Sequence, residues 1–180
     1  MKRFVILLIA AIGAFATTAN AQEKGDFYLG GTLGFGVSSS GSNGYMHTST
    51  AFDIAPEVGF FVIDNLKLGA NLEYSYTSSS GVNSLIITPN VSYYLPIVDK
   101  LYYTPQVSIG GGIGIENGGY VDGVFCLSFN LLSLEYKATK NFALSMNLVD
   151  IDYCMIGGHY DSVYFHLLNR PSVGVRYYFK

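Results

Sequence analysis

RPSVGVRYYFK, residues 170–180, decides the fold. Pro171, Val173, Val175, Tyr177 and Phe179 occupy one parity, and Ser172, Gly174, Arg176 and Tyr178 occupy the other. Successive side chains of an extended chain face opposite ways, so this stretch is a strand with one apolar face and one small or polar face. A chain end is ordinarily polar and frayed. An aromatic-rich closing strand is instead expected to pair with the first strand, which removes both open edges of the sheet at once.

Working back from that end, nearly every segment between turn-like clusters repeats the two-residue period. Eight strands are expected, over about 26–37, 50–62, 66–76, 85–95, 101–113, 123–136, 142–153 and 163–179. No segment has a helical period. The connections at 63–65, 96–100 and 137–141 are short, whereas those at 37–49, 77–84, 114–122 and 154–162 are longer and rich in Ser, Gly, Asn and Tyr. Short turns on one rim and long loops on the other define an all-β, eight-stranded antiparallel up-and-down barrel of the transmembrane type. Proline removes a ladder hydrogen bond, so bulges are expected beside Pro56, Pro89 and Pro105.

Alternation does not say which face meets the surroundings. A soluble barrel carries bulky apolar residues inside and charges outside, and a membrane barrel inverts this. Only 13% of residues are charged, against ~25% in an average soluble domain, and the chain holds 15 Tyr, 12 Phe and 21 Gly. The polar parity is mostly Gly, Ser, Thr, Ala and Asn, which suits a narrow lumen and would coat a soluble exterior poorly. The apolar parity suits acyl chains. Phe60, Phe61, Tyr93, Tyr94, Tyr102, Tyr103, Tyr136, Phe142, Tyr177 and Phe179 crowd the turn-side strand ends, as an interfacial aromatic girdle does. The runner-up is an exported soluble barrel binding an apolar ligand in its core, as a lipocalin does.

The other terminus bears on location. Lys2 and Arg3 precede an apolar run from Phe4 to about Phe15 and then Ala19-Asn20-Ala21, the layout of a cleaved export signal over residues 1–21. An N-terminal anchor is the alternative, although the run is shorter than the ~20 residues a spanning helix needs. The mature domain is then 22–180. Without the leader, 8 basic residues face 13 acidic ones, which excludes a basic nucleic-acid surface.

FDIAPEVGFFVIDNLKLG (52–69), ITPNVSYYLP (87–96), ATKNFAL (138–144) and PSVGVRYYF (171–179) make the whole mature chain resemble the small bacterial outer-membrane β-barrel domain family, of the OmpA/OmpX barrel type, often called porin family proteins. The resemblance implies outer-membrane localisation, contact with outer-membrane lipid, and assembly by the family's barrel-inserting machinery. Val173, Val175, Tyr177 and Phe179 match the closing signature that this machinery recognises, and Lys180 departs from it, since the aromatic usually comes last. The peptidoglycan-binding domain that follows the barrel in OmpA-like proteins is not implied.

Several constellations bear on chemistry. By parity the lumen is expected to hold Asp53, Glu57, Lys67, Glu73, Glu135 and Arg176. Buried charges have to be paired, so these form either a structural polar plug or a carboxylate-lined ion path. Glu57 and Glu73, on adjacent strands, are candidates to share a cation. Cys126 and Cys154 are equidistant from the turn at residue 140, which makes them candidate disulfide partners across a hairpin. Both face the same way only if Leu131-Leu132 and Leu148-Val149 each break the alternation; otherwise they are two separate small residues. His47, His159 and His166, with Asp150, Asp152, Asp161 and Ser162, form no triad spacing. A lipid-modifying enzyme is therefore the least favoured reading. No catalytic residue, metal site or cofactor is expected. The loops 38–50 and 116–123 mix Tyr with Ser, Gly and Asn, a composition suited to an extracellular ligand.

Overall fold

The computed structural model describes residues 23–42, 45–78, 82–115, 119, 121–157 and 160–179; the expected leader lies outside them. The strands are β1 (Phe27–Ser42), β2 (Tyr45–Ile63), β3 (Leu66–Thr77), β4 (Val82–Tyr93), β5 (Leu95–Val98), β6 (Leu101–Tyr103), β7 (Gln106–Ile115), β8 (Val121–Lys137), β9 (Phe142–Ile156) and β10 (Tyr160–Phe179). β5 prolongs β4 beyond Tyr94, and β6 leads into β7 across Thr104-Pro105, so the wall has eight staves. Antiparallel pairing runs β1-β2-β3-β4-β7-β8-β9-β10. The ring closes where β1 meets β10, from Phe27↔Phe179 to Gly34↔Ser172. This is the eight-stranded antiparallel barrel expected from the alternation.

The turn rim is compact. Asn65 (φ 66°) and Lys100 (φ 63°) each take a left-handed conformation beside a one-residue register shift. A three-residue hairpin connection uses that geometry to match the twist of its strands.

Two expectations need correction. Residues expected as long loops are largely strand: β1 and β2 pair through to Ser42↔Tyr45, β9 runs to Ile156, and β10 starts at Tyr160. Hydrophobic alternation is a side-chain signal. Backbone pairing has no such need, so a Ser-, Gly- and Thr-rich stretch can continue a hairpin. The second concerns proline. Register is unchanged across Pro56 and Pro89; the ladder skips rungs toward one neighbour while Gly31↔Pro56 and Ala70↔Pro89 hold on the other side. The missing N–H faces the interrupted side, so no extra residue is needed.

Beside Pro105 there is a true shift. Tyr103 pairs with Leu134, but Gln106 pairs with Asn130, and Leu131 and Leu132 both point outward in the gap. β9 carries a matching extra residue between Asn147 and Val149. Further round, β10 fits four residues between Leu167 and Ser172 against one on β9.

Candidate functional site: the polar lumen and its aromatic floor

The wall is apolar outside and polar within. Ile87 (60% exposed), Phe35 (59%) and Val173 (58%) face outward, while Lys67 (1%), Glu57 (2%) and Glu135 (0%) are enclosed. The chain's bulk apolar surface is thus on the exterior, the opposite of a soluble ligand-binding barrel.

The lumen charges converge from four staves. β2 supplies Glu57, β3 Lys67, β8 Glu135 and β10 Arg176. Lys67 Nζ donates to Glu57 Oε1 at 2.8 Å, and Arg176 donates to Glu57 Oε2 through Nε and Nη2, both at 2.9 Å. Arg176 Nη1 reaches Glu135 Oε2 at 2.7 Å. Arg176 therefore bridges the two carboxylates, and two negative charges meet two positive ones. Tyrosine hydroxyls complete the shell: Tyr28 donates to Glu57 at 2.8 Å, and Tyr178 and Tyr94 donate to Glu135 at 2.6 and 3.0 Å. Planar guanidinium suits this double carboxylate contact better than an ammonium would.

Beneath the charges the rings form a floor. Tyr28, Phe61, Tyr94, Tyr102 and Tyr178 are all at most 1% exposed. Phe61 meets Tyr94 edge-on at 5.1 Å between centroids, and Tyr94 and Tyr102 stand 6.0 Å apart. Lys137 Nζ lies 5.5 Å from the rings of both Tyr102 and Tyr178. This stopper sits at the turn rim, just inside the chain ends.

The floor corrects the expected girdle. Phe61, Tyr94 and Tyr102 point inward, while Phe60, Tyr93, Tyr136, Phe142, Tyr177 and Phe179 remain outside. FF at 60–61 and YY at 93–94 are adjacent pairs, so one member of each has to face the lumen. Tyr28 and Tyr178, which share parity with polar neighbours, carry the same signal.

Of the six charges expected in the lumen, the structure gathers Glu57, Lys67, Glu135 and Arg176. Asp53 and Glu73 stand apart, nearer the loop rim. Asp53 is opposite Gly34, and the register partner of Glu57 on β3 is Asn71 rather than Glu73. The upper lumen is lined by small polar groups, including Ser75 and Ser84 at 2.6 Å and Asn147 bonded to Ser172 at 3.0 Å.

Cys126 and Cys154 are register partners, 4.2 Å apart at Cα and joined through sulfur. Both breaks in the alternation, beside Leu131 and Leu148, are present, and the pair shares the parity of the lumen-facing Ser133 and Glu135 once the bulge is counted. Asp150 and Asp152 lie on β9 in register with His166 and Tyr164. The side chains of His47, His159, Asp161, Ser162 and His166 lie outside the described residues. Among the described residues no cluster of His, Cys, Asp and Glu has a metal-holding arrangement. Val173, Val175, Tyr177 and Phe179 all face outward, with the Phe179 ring 5.7 Å from Phe27 and 4.9 Å from Tyr177. Lys180 lies outside the described residues.

No family model and no curated protein matches the sequence. Among solved structures, the chain is similar to the crystal structure of Neisserial surface protein A, at 16% identity over 87% of this chain and 100% of that one, with a TM-score of 0.53. It also aligns with a de novo designed transmembrane β-barrel (14% identity, 88% and 99% covered, TM-score 0.40). A third alignment is to OmpT, an outer membrane protein of Vibrio cholerae (14%, 88% and 53%, TM-score 0.33). The first likeness shows the fold.

Proposed function

We propose that the chain is an integral protein of a bacterial outer membrane, exported by residues 1–21, with a structural or surface-interaction role and a closed lumen. The observation that carries this reading is the inverted facing: a continuous apolar exterior around buried, paired charges. A barrel is the one sheet architecture that leaves no open edge for lipid to meet. The fold shared with a Neisserial surface protein supports the same location. The outward aromatic and branched residues at 173, 175, 177 and 179 support recognition by the barrel-assembly machinery.

The stopper favours a plug over an ion path. A pore needs a continuous polar line, and here rings and a neutralised four-charge cluster occupy the turn-side end. The segments 38–50 and 116–123, rich in Ser, Gly, Asn and Tyr, are the parts that meet an extracellular ligand. Gel mobility in SDS of the outer-membrane fraction tests the reading. An unheated band displaced from the boiled band supports it. An unshifted band in the soluble fraction overturns it.

A further inference from the structure

The inner face of the β1–β10 seam interlocks. Arg176 lies opposite Gly30, and Thr32 lies opposite Gly174. A Cβ on Gly30 would stand 2.8 Å from Arg176 Cγ, and one on Gly174 would stand 2.7 Å from Thr32 Cγ2. Each glycine is therefore a notch that its partner's side chain fills. Gly30 is also the register partner of Glu57 on β2, so the bare notch is what lets Arg176 meet Glu57 across β1. One rung below, Tyr28 opposes Tyr178 with the rings 5.8 Å apart.

The outer face does not set this register. A one-residue slip turns every side chain of β10 to the wrong side, and the alternation forbids it. A two-residue slip keeps the facing and alters only the stagger of the ring. One direction sets Leu33 against Val175 and Leu29 against Phe179. The other sets Leu29 against Val175 and Phe27 against Tyr177. All of these residues face outward as it is, so both slips leave an apolar wall. Glycine-rich strands are weakly specified in register, and β1 carries Gly30, Gly31, Gly34 and Gly36. Inside, the slips differ from the observed seam. The first sets Arg176 against Thr32. The second sets Arg176 against Tyr28 and leaves Gly30 facing Gly174. Either one carries Arg176 about 7 Å along β1, out of bonding reach of Glu57.

We infer that Arg176 in its Gly30 notch is a register lock for ring closure. Among the closures that the outward pattern allows, it selects the one in which the last strand meets the first at this stagger. Lys67 and Tyr28 reach Glu57 from the β1–β3 run, whereas Arg176 comes to it across the seam from the far end of the chain. A slipped ring leaves Glu57 without its guanidinium and sets two side chains against each other where a side chain and a notch belong.

Cysteine cross-linking reads the register directly. In a Cys126→Ala, Cys154→Ala background, three proteins carry Leu33→Cys with Val173→Cys, Leu33→Cys with Val175→Cys, or Leu29→Cys with Val175→Cys. The first pair is opposite in the observed register. The other two are diagonal there, at roughly 7–8 Å, the limit of what a disulfide spans, and each becomes opposite in one of the slips. Each protein is folded from urea into detergent micelles, oxidised with copper phenanthroline and digested unreduced, and the linked peptides are counted by mass spectrometry. With Arg176 in place, the first pair should dominate. Arg176→Met should raise the yield of a slipped pair relative to the first by about tenfold, which ~1.4 kcal/mol of lost preference produces. Should that variant give no heat-shifted band, Arg176→Met with Glu135→Leu, which removes one charge of each sign, carries the same comparison. An unchanged ratio shows that register is set elsewhere and overturns the lock. Slipped cross-links in abundance with Arg176 present overturn it as well.

Discussion

Arg176 is the residue whose loss should be felt most sharply. It is buried, it makes two contacts to Glu57 and one to Glu135, and it thereby bridges the two carboxylates. Arg176→Met leaves Glu57 with Lys67 and Tyr28, but leaves Glu135 with tyrosine hydroxyls as its bonded partners in this cluster. Breaking a buried pair from one side costs about 3–5 kcal/mol, because a desolvated charge loses its compensation. Replacing both sides by apolar groups is far milder. Arg176→Met with Glu135→Leu removes one charge of each sign and keeps the Glu57–Lys67 pair. The double variant should therefore be more stable than Arg176→Met alone, with a coupling of about 2–3 kcal/mol, at the upper end of pairs in contact. Urea unfolding in phospholipid vesicles, followed by the heat-sensitive gel shift, measures all four corners of the cycle. If the single variant costs under about 1 kcal/mol, or the two effects simply add, the four charges are not acting as one balanced unit.

Three further outcomes follow from the same geometry. Ile87→Lys, at an exposed position of the apolar outer wall, should cost about 2–4 kcal/mol in vesicles if it sits near mid-bilayer, and a cost near zero would mean that wall faces water. Planar-bilayer recording of the intact protein should show no steady current, whereas joint Tyr94→Ala and Tyr178→Ala, which remove the centre of the floor, should admit one; open channels in the unaltered protein would refute the stopper. Removing the cross-link with Cys126→Ala and Cys154→Ala should lower stability by less than the ~3.6 kcal/mol that loop closure over a 28-residue separation would give, because the β8–β9 pairing already restricts that loop; a larger loss in the urea titration would show that the bond holds the register above the bulges.

The barrel was legible because its rule is local. Val173, Val175, Tyr177 and Phe179 announce one face of one strand, and the same two-residue rhythm recurs from Phe27 onward. The charged cluster was partly legible for the same reason: Glu57, Lys67, Glu135 and Arg176 all interrupt small-residue faces. Their grouping was not. Which staves bring Glu57 to Arg176, 119 positions apart, depends on closure and stagger of the ring rather than on spacing. Asp53 and Glu73 carry the same parity signal and sit at a different height. The floor's signal is present but masked by residue type, because Phe61, Tyr94 and Tyr102 adjoin outward aromatics and differ from them only in parity. The long hairpin arms are not legible because residues can pair through their backbones without leaving an apolar trace.

The aromatic floor has a bearing on how much of this protein a cell can tolerate. An open channel adds permeability with every copy, so its abundance is limited by what the envelope can afford to let through. On the proposed reading, a stave-built wall unit with a sealed base adds none. In an outer membrane it could be made in large numbers, covering area and presenting its hairpins at high density, while detergents and toxic solutes gained no new way in.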